Sequence, residues 1–173
     1  MRKRFLLFGF LFVSAGIMQL GCAAPHLFWP QKDIKSFELK ASSLEKRVLV
    51  ASRSSEFKDA IVDRIRDAFK DEPVYLKFIG INQLNEEDGT NYTALVLVNT
   101  TMSWGMDLDV KAFLNRHQDH KHMIVLTTSG DGGWLPKLEG RNFDAISSAS
   151  KKANVDEVAG TITTKVQRLL QTE

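Results

Sequence analysis

The chain has 173 residues, enough for one domain with a sizeable core, and it contains no internal repeat or low-complexity segment. Its formal net charge of +2 comes without a like-charge run or a basic stripe interleaved with aromatics, which argues against nucleic acid as a partner. The single cysteine, Cys22, has no partner for an internal disulfide.

Arg2, Lys3 and Arg4 precede an apolar stretch, residues 5–18, and then Gln19-Leu20-Gly21-Cys22-Ala23-Ala24. A basic start, a short apolar run and small residues at a cleavage point describe a secretory signal. The run is shorter than the roughly 20 residues that span a bilayer. The segment resembles the signal peptide of bacterial lipoproteins, with Gln19 where that pattern usually has an aliphatic residue. The resemblance implies residues 1–21 as the signal, cleavage before Cys22 and a diacylglycerol (palmitate-type) anchor on it. Oxidising compartments favour paired cysteines, so a lone one is better explained as a lipid carrier. Ala23 is not the aspartate linked to inner-membrane retention, which implies an outer-membrane lipoprotein facing the periplasm. The alternative is cleavage after Ala23 or Ala24 and a soluble periplasmic protein. Removing 21 residues leaves 152 and lowers Lys+Arg from 23 to 20 against 21 acids, near −1. The positive charge therefore belongs to the signal.

Residues 22–46 show no period and carry Pro25, Pro30 and Ser42-Ser43. They read as a membrane tether, with Phe28 and Trp29 available to pack on the domain of residues 47–173. Residues 48–51 form a short apolar run, as expected of a strand covered on both faces. Phe57, Ala60, Ile61, Ile65, Ala68 and Phe69 then recur at helical spacing up to Pro73. Strands follow at residues 74–79, 93–98, 123–128 and 143–147, with a polar connection after the first of these. A helix is expected over 107–116, capped by Asp107. The last helix has a cap in Asn154 and Glu157 and a stripe of Val155, Val158, Ile162, Val166, Leu169 and Leu170. Strands alternating with helices predict an α/β three-layer sandwich on a parallel sheet.

In such sheets ligands bind beyond the carboxyl ends of the strands, which selects three loops: 52–57, 99–106 and 129–136. Ser52, Ser54 and Ser55 stand where a phosphate loop follows the first strand. Thr100, Thr101 and Trp104, and then Ser129, Gly130, Asp131 and Trp134, stand where two loops flank a planar ring. On these residues the chain resembles the flavodoxin family over about residues 47–171. The resemblance implies five parallel strands in order 2-1-3-4-5 and an FMN site, with Trp104 and Trp134 stacking on the ring. In the phosphate loop Ser55 replaces a glycine, Phe57 replaces the last hydroxyl, and Glu56 places a negative charge at the helix N-terminus. Ser54 or Ser55 is more simply a helix cap.

The stretch Asp144-Ala145-Ile146-Ser147-Ser148-Ala149-Ser150 resembles the flavinylation motif of extracytoplasmic FMN-binding domains. That resemblance implies covalent FMN on Ser150, placed there by a flavin transferase. Its structural alternative is a fifth strand whose small residues pack near the sheet edge. His117, His120 and His122 with Asp119 carry metal-ligand chemistry, but they lie in a helix–strand connection where solvated polar residues are the rule. No Gly-x-Ser-x-Gly elbow is present. Two functions follow as expectations. One is a non-catalytic envelope module with a degenerate flavodoxin-like domain. The alternative is an FMN-bearing electron carrier with an envelope redox partner.

Overall fold

The computed structural model describes residues 31–102, 105–140 and 142–172; the expectations for the signal, Cys22, Phe28, Trp29 and Trp104 lie outside them. Six strands form one sheet: β1 (Phe37–Leu39), β2 (Arg47–Ser52), β3 (Tyr75–Gly80), β4 (Ala94–Thr100), β5 (Met123–Ser129) and β6 (Asp144–Ala149). Their order is β1-β3-β2-β4-β5-β6. Strands β2 to β6 pair in parallel, and β1 runs antiparallel to β3. The expectation of a five-stranded, wholly parallel sheet is therefore corrected to a six-stranded mixed one.

The extra strand comes from the stretch read as a tether. Phe37 stacks on Phe78 with ring centroids 4.4 Å apart, and Leu39 packs against the core. A three-residue strand is too short to show alternation in sequence. Its partner supplies the order: the apolar edge of β3 offers both backbone pairing and a ring to cover.

Among the described residues three α-helices flank the sheet: α1 (Glu56–Phe69), α2 (Leu108–Arg116) and α3 (Val155–Gln171). Helices α1 and α3 share one face, where Phe57, Ile61, Ile65 and Phe69 meet Val158, Ile162 and Val166 over Val48, Val50, Val96 and Leu126. On the other face Val110, Phe113 and Leu114 of α2 cover Leu49, Leu95, Leu97 and Val125. Burial on both faces explains why β2, β4 and β5 read as unbroken apolar runs. The connection from β3 to β4 is made of 3-10 turns at Ile81–Glu86 and Gly89–Asn91. Between β5 and β6 no helix is present among the described residues, and Trp134, Leu138 and Phe143 cover that part of the sheet instead.

Two helix starts match their sequence signals. Ser55 caps α1, its Oγ accepting the Lys58 N–H, and Asp107 caps α2 through the Asp109 N–H. The third does not. The Asn154 side chain donates to Ser148 Oγ and the Ala149 carbonyl, both at 3.3 Å, which ties α3 to the end of β6 and leaves no side-chain cap. The fold is α/β and flavodoxin-like, with its strand order reversing between β2 and β4.

Candidate functional site

The point where strand order reverses lies between the carboxyl ends of β2 and β4, where the following loops separate and open a crevice. Here that crevice is filled by Arg53, the residue after β2. Its backbone N–H donates to the Val98 carbonyl at 3.0 Å, holding it beside β4. Its guanidinium donates to Asp107 at 2.9 and 3.1 Å, to Asp33 at 2.9 Å and to Asp109 at 2.8 Å. The Arg53 and Asp107 side chains are 11% and 3% exposed, so this is a buried, two-pronged pair. Burial alone would lower the Arg53 pKa; the hydrogen bond and charge of Asp107, with the charge of Asp33, outweigh it and hold the group above its ordinary value.

The neighbouring serines are equally engaged. Ser52 is buried and its hydroxyl donates to the Arg53 carbonyl at 2.7 Å. The Ser54 N–H donates to the Lys32 carbonyl at 2.7 Å and its hydroxyl to Asp59 at 3.0 Å. Ser55 serves the α1 N-terminus. Among the described residues, Lys58, 5% exposed, has only Ser55 Oγ within hydrogen-bond reach, at 3.5 Å. Burial lowers its pKa, with Asp59 opposing and Arg53 adding to the effect.

At the end of β4 the Thr100 hydroxyl meets the Thr128 hydroxyl at 3.1 Å. Thr101 directs its N–H and its hydroxyl to the Thr128 carbonyl, at 2.9 and 3.2 Å. The loop after β5 closes on itself. Ser129 Oγ accepts the N–H groups of Gly132 and Trp134, at 3.0 and 3.4 Å, and donates to Asp131, whose carboxylate also accepts the Gly133 N–H at 3.0 Å. The Gly133 N–H, then the Ser129 hydroxyl, hold the Asp131 carboxyl below its ordinary value. Gly132 has φ 79° and a Cβ there would lie 2.4 Å from the Ala149 nitrogen, so only glycine allows the loop to touch β6. Gly130 faces open space. Trp134 is half-buried against the α2-side core.

Sequence reading missed a polar row on that same face. Asn99, Thr127 and Ser147 are register partners across β4, β5 and β6, and Asn99 Nδ2 donates to Thr127 Oγ1 at 3.1 Å. Among the described residues, Asn99 Oδ1 and Ser147 Oγ are buried without a partner. The available signal was the switch from apolar to polar residues in the last positions of each strand. Arg53 was missed as well, because its ion pairs join segments far apart in sequence.

Ser150 is exposed just beyond β6. It lines a groove of about 150 Å³ with Glu56, Phe57, Ala60, Lys152 and Val155. The histidines are held by backbone. His117 Nδ1 donates to the Phe113 carbonyl at 2.9 Å and its Nε2 accepts the Gly89 N–H at 3.0 Å. His122 Nε2 donates to the Gly89 carbonyl at 3.3 Å. The nitrogens of buried His120 face the carbonyls of Leu114 and Gln118. No cluster of three metal-ligating side chains occurs among the described residues.

These residues do not fit a noncovalently cradled FMN phosphate. A cradle needs N–H groups and hydroxyls turned toward the anion, but the Ser54 N–H, the Ser52 and Ser54 hydroxyls and the Arg53 guanidinium already donate within the chain. Two carboxylates, Asp59 and Asp107, stand beside that position as well.

No protein-family model and no curated protein matches the chain. Solved structures that resemble it include a flavodoxin from the domain Archaea, with 11% identity, TM-score 0.46, and 71% of this chain and 98% of that chain covered. The flavodiiron protein from Giardia intestinalis shares 10% identity at TM-score 0.49, covering 75% of this chain. Rubredoxin oxygen:oxidoreductase from Desulfovibrio gigas shares 13% identity at TM-score 0.45, covering 74%. The matched region spans only 38% and 37% of those two longer chains. All three TM-scores lie below 0.5, so the strand order described above, and not these likenesses, defines the fold.

Proposed function

We propose that the chain is a cell-envelope lipoprotein, anchored through Cys22 to the outer membrane and facing the periplasm, whose flavodoxin-like domain is a non-catalytic binding or structural module. The observation that carries the domain's role is the filled crevice: Arg53, held by Asp33, Asp107 and Asp109, occupies the position where this architecture admits ligands. The signal-like first 24 residues support the envelope address. Titrating the full chain with FMN tests the reading through flavin fluorescence. No saturable quenching is expected, and one-to-one quenching would overturn it.

A second reading, an extracytoplasmic electron carrier with FMN joined covalently to Ser150, is favoured by one observation. Ser150 is exposed just beyond β6, at the carboxyl end of the sheet, and lines a groove. A phosphoester bond there needs no phosphate cradle. Coexpression with a flavin transferase distinguishes the two: flavin mass on the chain that disappears in Ser150→Ala belongs to the second reading alone.

A further inference from the structure

We infer that Asp33 is a resident anion: its carboxylate fills a small carboxylate-binding pocket made by Arg53 and the Asn82 N–H, and residues 32–36 are the strap that keeps it there. Asp33 Oδ1 accepts from the Arg53 guanidinium at 2.9 Å and Oδ2 accepts the Asn82 N–H at 3.1 Å. A planar guanidinium paired with a backbone N–H is the donor set that recognises a carboxylate from outside the chain as readily as from within it. The pocket is sheltered, with the Arg53 and Asp33 side chains 11% and 14% exposed.

Its floor is Gly80. A Cβ at that position would lie 2.6 Å from Asp33 Cβ and 2.9 Å from its carboxyl carbon, so the absent side chain creates the space the carboxylate occupies. The strap is held by Asp33 itself, by Ile34 packing against the core and by two backbone bonds. Its backbone bonds run from Ser54 N–H to the Lys32 carbonyl at 2.7 Å and from Ile34 N–H to the Ser52 carbonyl at 3.3 Å. Ile34 is only half-buried, and Ser36 hydrogen-bonds Gln83 at the surface.

Charge selects the ligand class. Asp107 and Asp109 remain on Arg53 whether or not the strap is in place, so replacing Asp33 by a monocarboxylate leaves the local charge unchanged. A phosphate dianion adds a negative charge beside those two carboxylates and is disfavoured. With the Asp33 carboxylate absent, the pocket therefore takes a small monocarboxylate, independently of whether flavin is ever attached at Ser150.

The test uses the full chain in non-ionic detergent carrying Asp33→Ala, which empties the pocket and leaves its donors. Thermal unfolding is followed by circular dichroism in sodium acetate and in sodium chloride at matched ionic strength. Acetate is expected to raise the Tm of Asp33→Ala saturably by roughly 3–5 °C over chloride, with no acetate-specific change in the unsubstituted chain. A variant unfolded in chloride that folds in acetate supports the pocket equally. Equal Tm values in the two salts, or failure to fold in both, overturn it. Asp33→Asn is the control: its amide fills the space, and an acetate response as large as that of Asp33→Ala would also overturn the proposal.

Discussion

A guanidinium surrounded by three carboxylates stays charged despite burial, and its removal strands the carboxylates it served. Arg53→Met leaves Asp107, 3% exposed, and Asp33, 14% exposed, without their cation. The expected loss is about 3–5 kcal/mol, the cost of breaking a buried pair from one side. Asp109→Asn removes a half-exposed partner and is expected to cost no more than about 1 kcal/mol. Urea denaturation of both variants checks the contrast; equal losses would mean that the burial of the Asp107 pair does not matter. At this scale the caps were legible in sequence, because Ser55 and Asp107 act on N–H groups two or three residues away. The ion pairs were not: Arg53 reaches across 20, 54 and 56 residues to its aspartates, and nothing local marks such a pairing.

Among the elements, β2, β4 and β5 were readable as unbroken apolar runs, and the three described helices by the apolar period that one-sided burial imposes. The β1 edge was not, since three residues carry no period. The absent helix between β5 and β6 has a related cause. That connection holds apolar residues, but Gly130, Gly132, Gly133 and Pro136 interrupt any helical spacing. What replaces the helix is the self-bonded turn from Ser129 to Trp134, and its closest approach is Gly132 on β6. Gly132→Ala combines a left-handed φ with a 2.4 Å backbone contact. We expect it to cost about 2 kcal/mol or more. It is also expected to speed amide exchange at Ala149 and through residues 129–134. Unchanged exchange in a normally stable variant would show that the loop does not depend on that contact.

For the whole molecule, a doubly covered sheet supplies the stability, and its carboxyl end, the place where α/β proteins bind ligands, is closed by the chain's own groups. The Lys32 carbonyl takes the Ser54 N–H, Asp33 takes Arg53 and Asn82, and Ser129 and Asp131 take the N–H groups of their loop. The α/β architecture was legible from strand and helix alternation, while its flavodoxin-like character was implied by the resemblance of the loops, the serines of the phosphate loop among them. That the donors of Ser54 and Arg53 are consumed internally could be seen only once distant segments were brought together. Closure of the ligand end without bound flavin, on a lipid-anchored domain, is the central claim. It is tested most directly by the intact mass and visible absorbance of the protein purified from the membranes of its own host. The account predicts the mass of a chain beginning at a diacylated Cys22, with no FMN mass and no flavin absorbance. A yellow protein heavier by one FMN, colourless in Ser150→Ala, would contradict it.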